Sequence, residues 1–549
     1  MSQFHEAAKA IKRKITLFRH SLRRQWTSYF PDLQTRRYRA WIARHVDNRK
    51  QMYDVPLRPG LLSILTAVWD GSPVPYLEAL AESIASQNGE GACEWVVLDN
   101  GCFRAEVLAC LTALRQHPWV KIYRSEQNLG IIRGLRFCLE RASGRYILPV
   151  DADDQLYPDA LQVITAYLDK AGYPPLLYTD EDKLTSTGVS QPYFKPDWDP
   201  VLLGNLAYIA HLGVVNREAA LALGAYSDPS TEGSPDWDLF LRFAAAGHSA
   251  MHIPEVVYSW RMHATSTAED AHSKPYIMTS QQAVLSNFLA AKGMAERLVI
   301  ENSSFFPGAA HWHFVRRHTN GKVMRRVMLT RSKAQASGDD GTGAAISLNL
   351  GAEPHSLSSI ASDASSRDEL LCFLSDELIL DNENWEWEAL GLLELFPDTV
   401  MVGGRIRNVA GDIVEAGLQL GYAGLCGSPD GGRKETDPGY FGQAWKQRSV
   451  SAVSLQCAVV HPAFLYDALA ELPPGTSLPL LGAWLGAYAL RRGKRIVYTP
   501  FLGGVCSVVW DGLITKDERA LFKSLNSDIL PDRRYYPKPL SLEMGYVLE

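Results

Sequence analysis

Between Leu61 and Val150 the chain alternates short β-rich runs with helical segments, and that alternation restricts it to few folds. Leu61-Leu-Ser-Ile-Leu-Thr-Ala-Val68 is an apolar run of strand length, and 76–87 suits a helix. Glu94-Trp-Val-Val-Leu98 predicts a second strand, 104–115 a helix, Val120-Lys-Ile-Tyr123 a third strand and 130–142 a further helix. A fourth run, Tyr146-Ile-Leu-Pro-Val150, follows. Strands separated by helices of this length predict parallel βαβ units in a doubly wound sheet. Ligands of such sheets bind at the carboxyl ends of the strands. Asp99 follows the second strand and Asp151 and Asp153 follow the fourth, so all three are expected on one edge.

The fourth run ends in Asp151-Ala-Asp153-Asp154, three carboxylates within four residues. Like charges that lose solvent repel, so this spacing suits a bound cation. An Asp-x-Asp there can hold Mg²⁺ or Mn²⁺, and the metal can hold the two phosphates of a nucleotide. A solvated acidic turn is the ordinary alternative for an isolated Asp-x-Asp, and the shared sheet edge argues against it here.

A chain of 549 residues is too long for one core, and two to four domains are expected. A net charge of −6 argues against a general nucleic-acid binder. No apolar run reaches transmembrane length, and the N-terminus lacks the pattern of a secretory signal. The eight cysteines are scattered without a Cys-x-x-Cys pair, which fits free thiols in a reducing cytosol. Residues 1–50 hold 13 Lys/Arg against 3 Asp/Glu, a local balance of +10. Phe4, Ile11, Ile15, Phe18, Leu22 and Trp26 recur there at mostly helical steps. Such a helix suits an anionic membrane surface, the following domain or a partner. Ser332 to about Ser366 is rich in small and polar residues and is expected to be a loop or linker.

Further segments complete a constellation: Ser125-Glu-Gln-Asn128-Leu-Gly130-Ile-Ile-Arg133-Gly134, Tyr178-Thr-Asp180-Glu181-Asp182, Gly233-Ser-Pro-Asp236-Trp-Asp238-Leu-Phe-Leu-Arg242 and Tyr258-Ser-Trp-Arg261-Met-His263. This set and its order resemble the family 2 glycosyltransferases with the GT-A fold. Among these it looks like the two-domain enzymes of bacterial surface-polysaccharide and O-antigen assembly, over residues 35–530.

The resemblance implies an α/β architecture with a Rossmann-like, mostly parallel sheet and helices on both faces, then a degenerate GT-A-like domain. The expected divisions are a basic helical arm at 1–55, a catalytic domain at 56–300, a connecting region at 301–368 and the second domain at 369–549. It implies an inverting, metal-dependent transfer of a sugar from a nucleotide-sugar donor to a saccharide or lipid-linked saccharide acceptor. Asp99 would contact the nucleoside, although Asn100 and Cys102 replace the family's second Asp and its Ser. Asp151, Asp153 and His263 would hold Mg²⁺ or Mn²⁺, and Arg133 would pair with the diphosphate. Asp180 and Glu181 would line the donor sugar's side. Asp236 would be the base, with Pro235 in place of the usual acidic or amide neighbour. Asp238 is expected to point away, as a cap or a partner for Arg242. The segment Phe194-Lys-Pro-Asp-Trp198 would lead toward the acceptor.

Residues 370–512 resemble the later part of the same domain without its chemistry. Ser375 stands at the first metal carboxylate's place, with Glu377 at the second, and no Asp or Glu occurs from Leu472 to Trp510. That domain is expected to serve packing, acceptor binding or partner contact. A cytoplasmic enzyme, with a peripheral membrane contact through 1–30, fits the whole pattern. The alternatives are a nucleotide-sugar-binding scaffold without turnover and a nucleotidyltransferase. The latter would want a Gly-rich, basic loop after the first strand, and Val68-Trp-Asp-Gly-Ser-Pro lacks one.

Overall fold

The computed structural model describes residues 31–89, 91–262, 275–302, 311–317, 324–331, 346–382, 385–507 and 510–549. The chain divides into two compact units, one spanning Thr27–Gly293 and the other containing Met294–Glu549. Among the described residues, no helix is long and apolar enough to cross a membrane.

The first unit is built on nine strands: β1 (Leu62–Val68), β2 (Glu94–Asn100), β3 (Val120–Ser125), β4 (Tyr146–Pro149), β5 (Gln155–Leu156), β6 (Leu176–Thr185), β7 (Gly188–Tyr193), β8 (Gly213–Asn216) and β9 (Met251–Arg261). Their order is β3-β2-β1-β4-β8-β6-β9-β5, with β7 beside β6. β1, β2, β3 and β4 pair in parallel, as the alternating pattern predicts, and β6 and β9 are also parallel to each other. β8 enters antiparallel between β4 and β6, so the sheet is mostly rather than wholly parallel. Helices Val74–Ala85, Ala105–Leu114 and Gly130–Arg141 connect the first four strands. β1 and β2 read as near-continuous apolar runs because Ile64, Leu65, Val96 and Val97 are fully buried in the sheet.

Residues 31–52 are not a separate arm. They form the helix Pro31–Met52, which buries Tyr38, Ile42, Val46 and Arg49 within the first unit. The apolar stripe Phe4–Trp26 lies outside the described residues. Arg49 explains the docking. Its guanidinium is fully buried, donates to both Asp159 oxygens at 2.7 and 2.8 Å and to the Val256 carbonyl at 2.7 Å, and lies 3.4 Å from Glu255. Tyr38 donates to Asp182 at 2.6 Å, and His45 pairs with Glu255 at 2.6 Å.

The second unit repeats this wiring. Its main path runs Ile346–Asn349, Met324–Thr330, Leu370–Ser375, Cys457–Val460, Thr399–Arg407, Arg495–Cys506 and Leu378–Leu380. Position for position, that is β2-β1-β4-β8-β6-β9-β5, with Ile413–Glu415 on Thr399–Arg407 as β7 lies on β6. No counterpart of β3 appears among the described residues. The serine-rich stretch is only partly a linker candidate. Residues 332–345 lie outside the described residues, whereas 346–349 are a strand and Leu357–Ser366 a helix. Leu357, Ala361 and Ala364 are four and three residues apart, so they share a helix face, and all are fully buried. Small residues there permit close packing rather than signalling a loop.

Replacing Arg49 by alanine strands Asp159 as an uncompensated buried charge, while Glu255 keeps His45. We expect about 3–5 kcal/mol of destabilisation, measured by denaturant unfolding; an unchanged midpoint and slope would show that the pair does not hold the helix.

Candidate active site at the carboxyl edge of the first sheet

Asp151 follows β4 with its side chain 59% exposed, and His211 Nε2 lies 3.7 Å from its carboxylate. Asp154, three residues on, is buried; it accepts from the Tyr258 hydroxyl and, at 2.7 Å, from the Arg261 backbone N–H. Burial pushes the Asp154 carboxyl up to about 8. The ligand atoms of Asp151, Asp154 and His211 all lie within 4.8 Å of one another, a donor set of two carboxylates and an imidazole that fits a divalent cation. Of the expected ligands, Asp151 is in this group. Asp153 is partly buried beside it but does not complete the cluster, and His263 lies outside the described residues.

A buried ionic network stands behind that edge. Lys195 has no exposed side-chain surface, and its ammonium donates to the carbonyls of Thr179, Ile209 and His211 and to Glu181 at 3.0 Å. Burial lowers the Lys195 pKa against the opposing pull of Glu181 and Asp180. Glu181 also accepts the His211 backbone N–H at 3.1 Å and lies 3.6 Å from His211 Nδ1. Burial works against an ionised Glu181, but Lys195 and His211 hold its pKa below the usual value. Burial likewise opposes charge on His211, yet Asp151 and Glu181 keep its pKa well above that of a free imidazole. The ring stacks on Tyr258 at 4.9 Å and 3°. His211 is therefore an imidazolium held between two carboxylates, and to ligate a cation through Nε2 it must first give up that proton.

Asp180 does not line a pocket. It is buried, accepting the Lys195 N–H at 2.7 Å and facing His252 Nε2 at 2.9 Å, while His252 Nδ1 meets Asp197 at 3.0 Å. Glu181 is also buried and acts on the cleft through His211. Asp182 accepts three hydroxyls, from Tyr38, Tyr157 and Ser259, each at 2.6 Å. Lys195, His211 and Arg124 were not legible as functional residues; the sequence singled out only the segment around Lys195.

Asp236 lies in the first turn of the helix Pro235–Ala245, where proline at the first position needs no N–H partner. It is partly buried and accepts no hydrogen bond from the described residues. Burial raises its carboxyl to about 6; the His211 and Lys195 charges pull down, and Asp151 and Glu181 push up. Its neighbour Trp237 donates from the indole to the Leu203 carbonyl at 2.6 Å. Asp238 turns inward and accepts from Arg242 at 2.6 Å, as the spacing predicted.

Asp99, the expected nucleoside contact at the end of β2, is buried and accepts the Cys102 N–H at 3.0 Å and Arg124 at 2.6 Å. Asn100 binds the following loop instead, accepting the Leu129 N–H at 2.8 Å and donating to Asn128 and the Gly130 carbonyl. Arg133 is exposed and makes no hydrogen bond among the described residues.

In the second unit the strand registers identify the equivalent positions. Leu62 pairs with Tyr146 and Met324 with Leu370. Counting forward equally from Tyr146 and Leu370 brings Asp151 and Ser375 to the same place. The same count places Asn349, opposite Thr330, where Asp99 stands opposite Val68. The helix Leu478–Arg491 carries no acid.

The sequence profile of Glycosyl transferase family 2 matches residues 63–216. "Uncharacterized protein y4gI" of Sinorhizobium fredii is 26% identical over 453 residues, which is 75% of this chain and 49% of that protein. "O-antigen biosynthesis protein RfbC" of Myxococcus xanthus is 30% identical over 239 residues, 43% of this chain and 18% of its own length. The chain thus spans half or less of these two relatives. A crystal structure of S. aureus TarS 1-349 in complex with UDP-GlcNAc is similar at 17% identity over 42% of this chain and 72% of that one, with a TM-score of 0.34.

Lys195→Met should destabilise the first unit by about 3–5 kcal/mol, because Glu181 is left buried without its cation. Adding Glu181→Gln should recover part of that loss in denaturant unfolding; additive losses would mean that the two side chains are not energetically paired.

Proposed function

The chain carries a glycosyltransferase family 2 domain, and on that premise we propose that its first unit transfers a sugar from a nucleotide-sugar donor with inversion of the anomeric centre. The observation that carries this reading is Asp236: a carboxylate at the binding edge of the sheet, without a hydrogen-bond partner among the described residues and with its pKa near 6. That is the state a general base needs, because proton transfer is most efficient when the base titrates near the working pH.

Asp236 takes the proton from an acceptor hydroxyl as that oxygen bonds to the anomeric carbon. The bond from that carbon to the diphosphate oxygen breaks on the opposite face, and the nucleoside diphosphate leaves with the electron pair. One displacement inverts the centre. Asp151, Asp154 and His211 would hold a divalent cation, and Asp153 and His263 remain further candidates from the sequence. When bound, such a cation neutralises the diphosphate as negative charge develops on it. Asp99, steadied by Arg124, presents its remaining lone pairs toward a nucleoside, and the exposed Arg133 offers a charge-assisted donor to the diphosphate.

The name of the Myxococcus relative supports an acceptor in surface-polysaccharide synthesis, a saccharide or lipid-linked saccharide. We read the second unit as non-catalytic, since Ser375 and an acid-free helix occupy the places of the metal carboxylate and the base. Residues 1–30, with their basic flank and apolar stripe, would hold the enzyme at an anionic membrane surface. Deleting them should abolish co-sedimentation with vesicles containing anionic lipid, and undiminished binding would remove this assignment.

Asp236→Asn should lower transfer at least about 100-fold while the donor-induced rise in thermal midpoint, with Mn²⁺ and against EDTA, persists across a UDP-, dTDP- and GDP-sugar panel. Turnover at the wild-type rate would exclude Asp236 as the base. The base works only ionised, so wild-type activity should be level above its pKa of about 6 and fall about tenfold per pH unit below it.

A further inference from the structure

The loop that delivers Asp236 is tied across the site by a carboxylate four residues upstream. Glu232 accepts the Ile131 N–H at 2.7 Å on one oxygen and the Ile132 N–H at 3.1 Å on the other. These amides open the helix Gly130–Arg141, whose N-cap Leu129 supplies no side-chain bond and whose first turn has no acid of its own. An acid a hundred residues away therefore caps it. The fit is close: Gly130 has φ +79°, and a Cβ there would lie 2.9 Å from the Glu232 carboxylate. The same helix start is fixed to the end of β2, where Asn100 accepts the Leu129 N–H. Asn100 adjoins Asp99, so Glu232 binds a helix whose start is registered to the nucleoside side of the sheet.

The other side of the loop is anchored separately. Asp228 accepts from the Ser230 N–H at 2.9 Å and from Asn287 at 2.7 Å, and Ser234 meets Ser280 at 2.9 Å. Both Asn287 and Ser280 belong to the helix Pro275–Ala291. Between these anchors the chain turns through Gly233 at φ +100°, which a side chain would resist. Glu232 bonds this loop to the donor-side helix, whereas the other side-chain hydrogen bonds that 228–234 make to neighbouring elements among the described residues go to the helix Pro275–Ala291. Ile131 is 43% exposed, so water can replace the carboxylate at its freed amide, whereas Ile132 is buried and its amide relies more on the cap.

We propose that Glu232 is a positioning residue for sugar transfer: it sets the place of the Asp236 carboxylate relative to the donor side of the cleft. This rests on the assignment of Asp236 as base. A misplacement of about 1 Å in a reacting group costs on the order of 100-fold in rate, which is the scale at stake in one lost tether.

Two measurements on the full chain test it. In hydrogen exchange, Glu232→Ala should speed exchange at Ile131 and Ile132 and, together with them, at 236–239; acceleration confined to 131–132 would make Glu232 a mere helix cap and overturn the proposal. In kinetics with whichever UDP-, dTDP- or GDP-sugar the wild type turns over, Glu232→Ala should lower kcat about 100-fold with donor KM within about twofold. Glu232→Gln, which keeps one acceptor oxygen, should recover about tenfold of that loss. Unchanged kcat, or loss of kcat in step with thermal stability, would overturn the proposal. A wild type that turns over none of these donors counts against the glycosyl-transfer reading, while the exchange measurement still decides whether Glu232 couples the two segments.

Discussion

The Lys195 ammonium is the interaction on which the rest of the site depends. It sits without solvent among three backbone carbonyls and the Glu181 carboxylate. An isolated charge there would be prohibitively costly, and it is tolerated because every donor has an acceptor. By gathering Thr179 from β6 and Ile209 and His211 from the segment before β8, it ties a strand to the loop that carries the imidazolium. Glu181 then meets His211 from behind and Asp151 meets it from the cleft. The charge of the site is thus set by a relay of opposite signs running from the core outward: Lys195, Glu181, His211, Asp151.

That relay also decides how Asp236 differs from its neighbours. Asp180, Asp182 and Asp238 are all buried, and each has its oxygens occupied by an imidazole, hydroxyls or a guanidinium. Burial raises Asp182 and Asp238 as well as Asp236, but Asp236 is the partly buried acid left without a hydrogen bond from the described residues. The acids around the cleft share a residue type and differ in what satisfies them, and that difference sets Asp236, our proposed proton acceptor, apart from carboxylates satisfied within the fold.

The second unit keeps the fold of the first while other residues stand at the places of its candidate site acids. Its sheet retains the strand order and the mixed directions of the first, including the antiparallel strand between two parallel pairs. Strand order is held by the burial of continuous apolar runs, to which Val327, Leu371, Phe373 and Val459 contribute. An acid at the place of the exposed Asp151 contributes nothing to that burial, so serine can stand at Ser375 without disturbing the sheet. Topology and activity are separable because different residues carry them.

The sequence by itself determined the alternating elements of the first unit, their parallel pairing and the edge on which Asp99, Asp151 and Asp153 lie. These follow from apolar periodicity and from polar residues at strand ends, which are local signals. It also offered the Asp238–Arg242 pair as one of two readings, since four residues is about one helical turn, and the structure shows the pair. Only the tertiary structure decided that Asp180 is consumed within the core, that Arg49 joins the first helix to the unit, and that His211, Lys195, Arg124 and Glu232 belong to the site. Each of those depends on contacts between residues far apart in the chain, such as Glu232 with Ile131 or Arg49 with Asp159. A lone lysine or histidine in a sequence carries no mark of the carboxylate it will meet; the partner is chosen by how the sheet closes, and only then is its charge fixed.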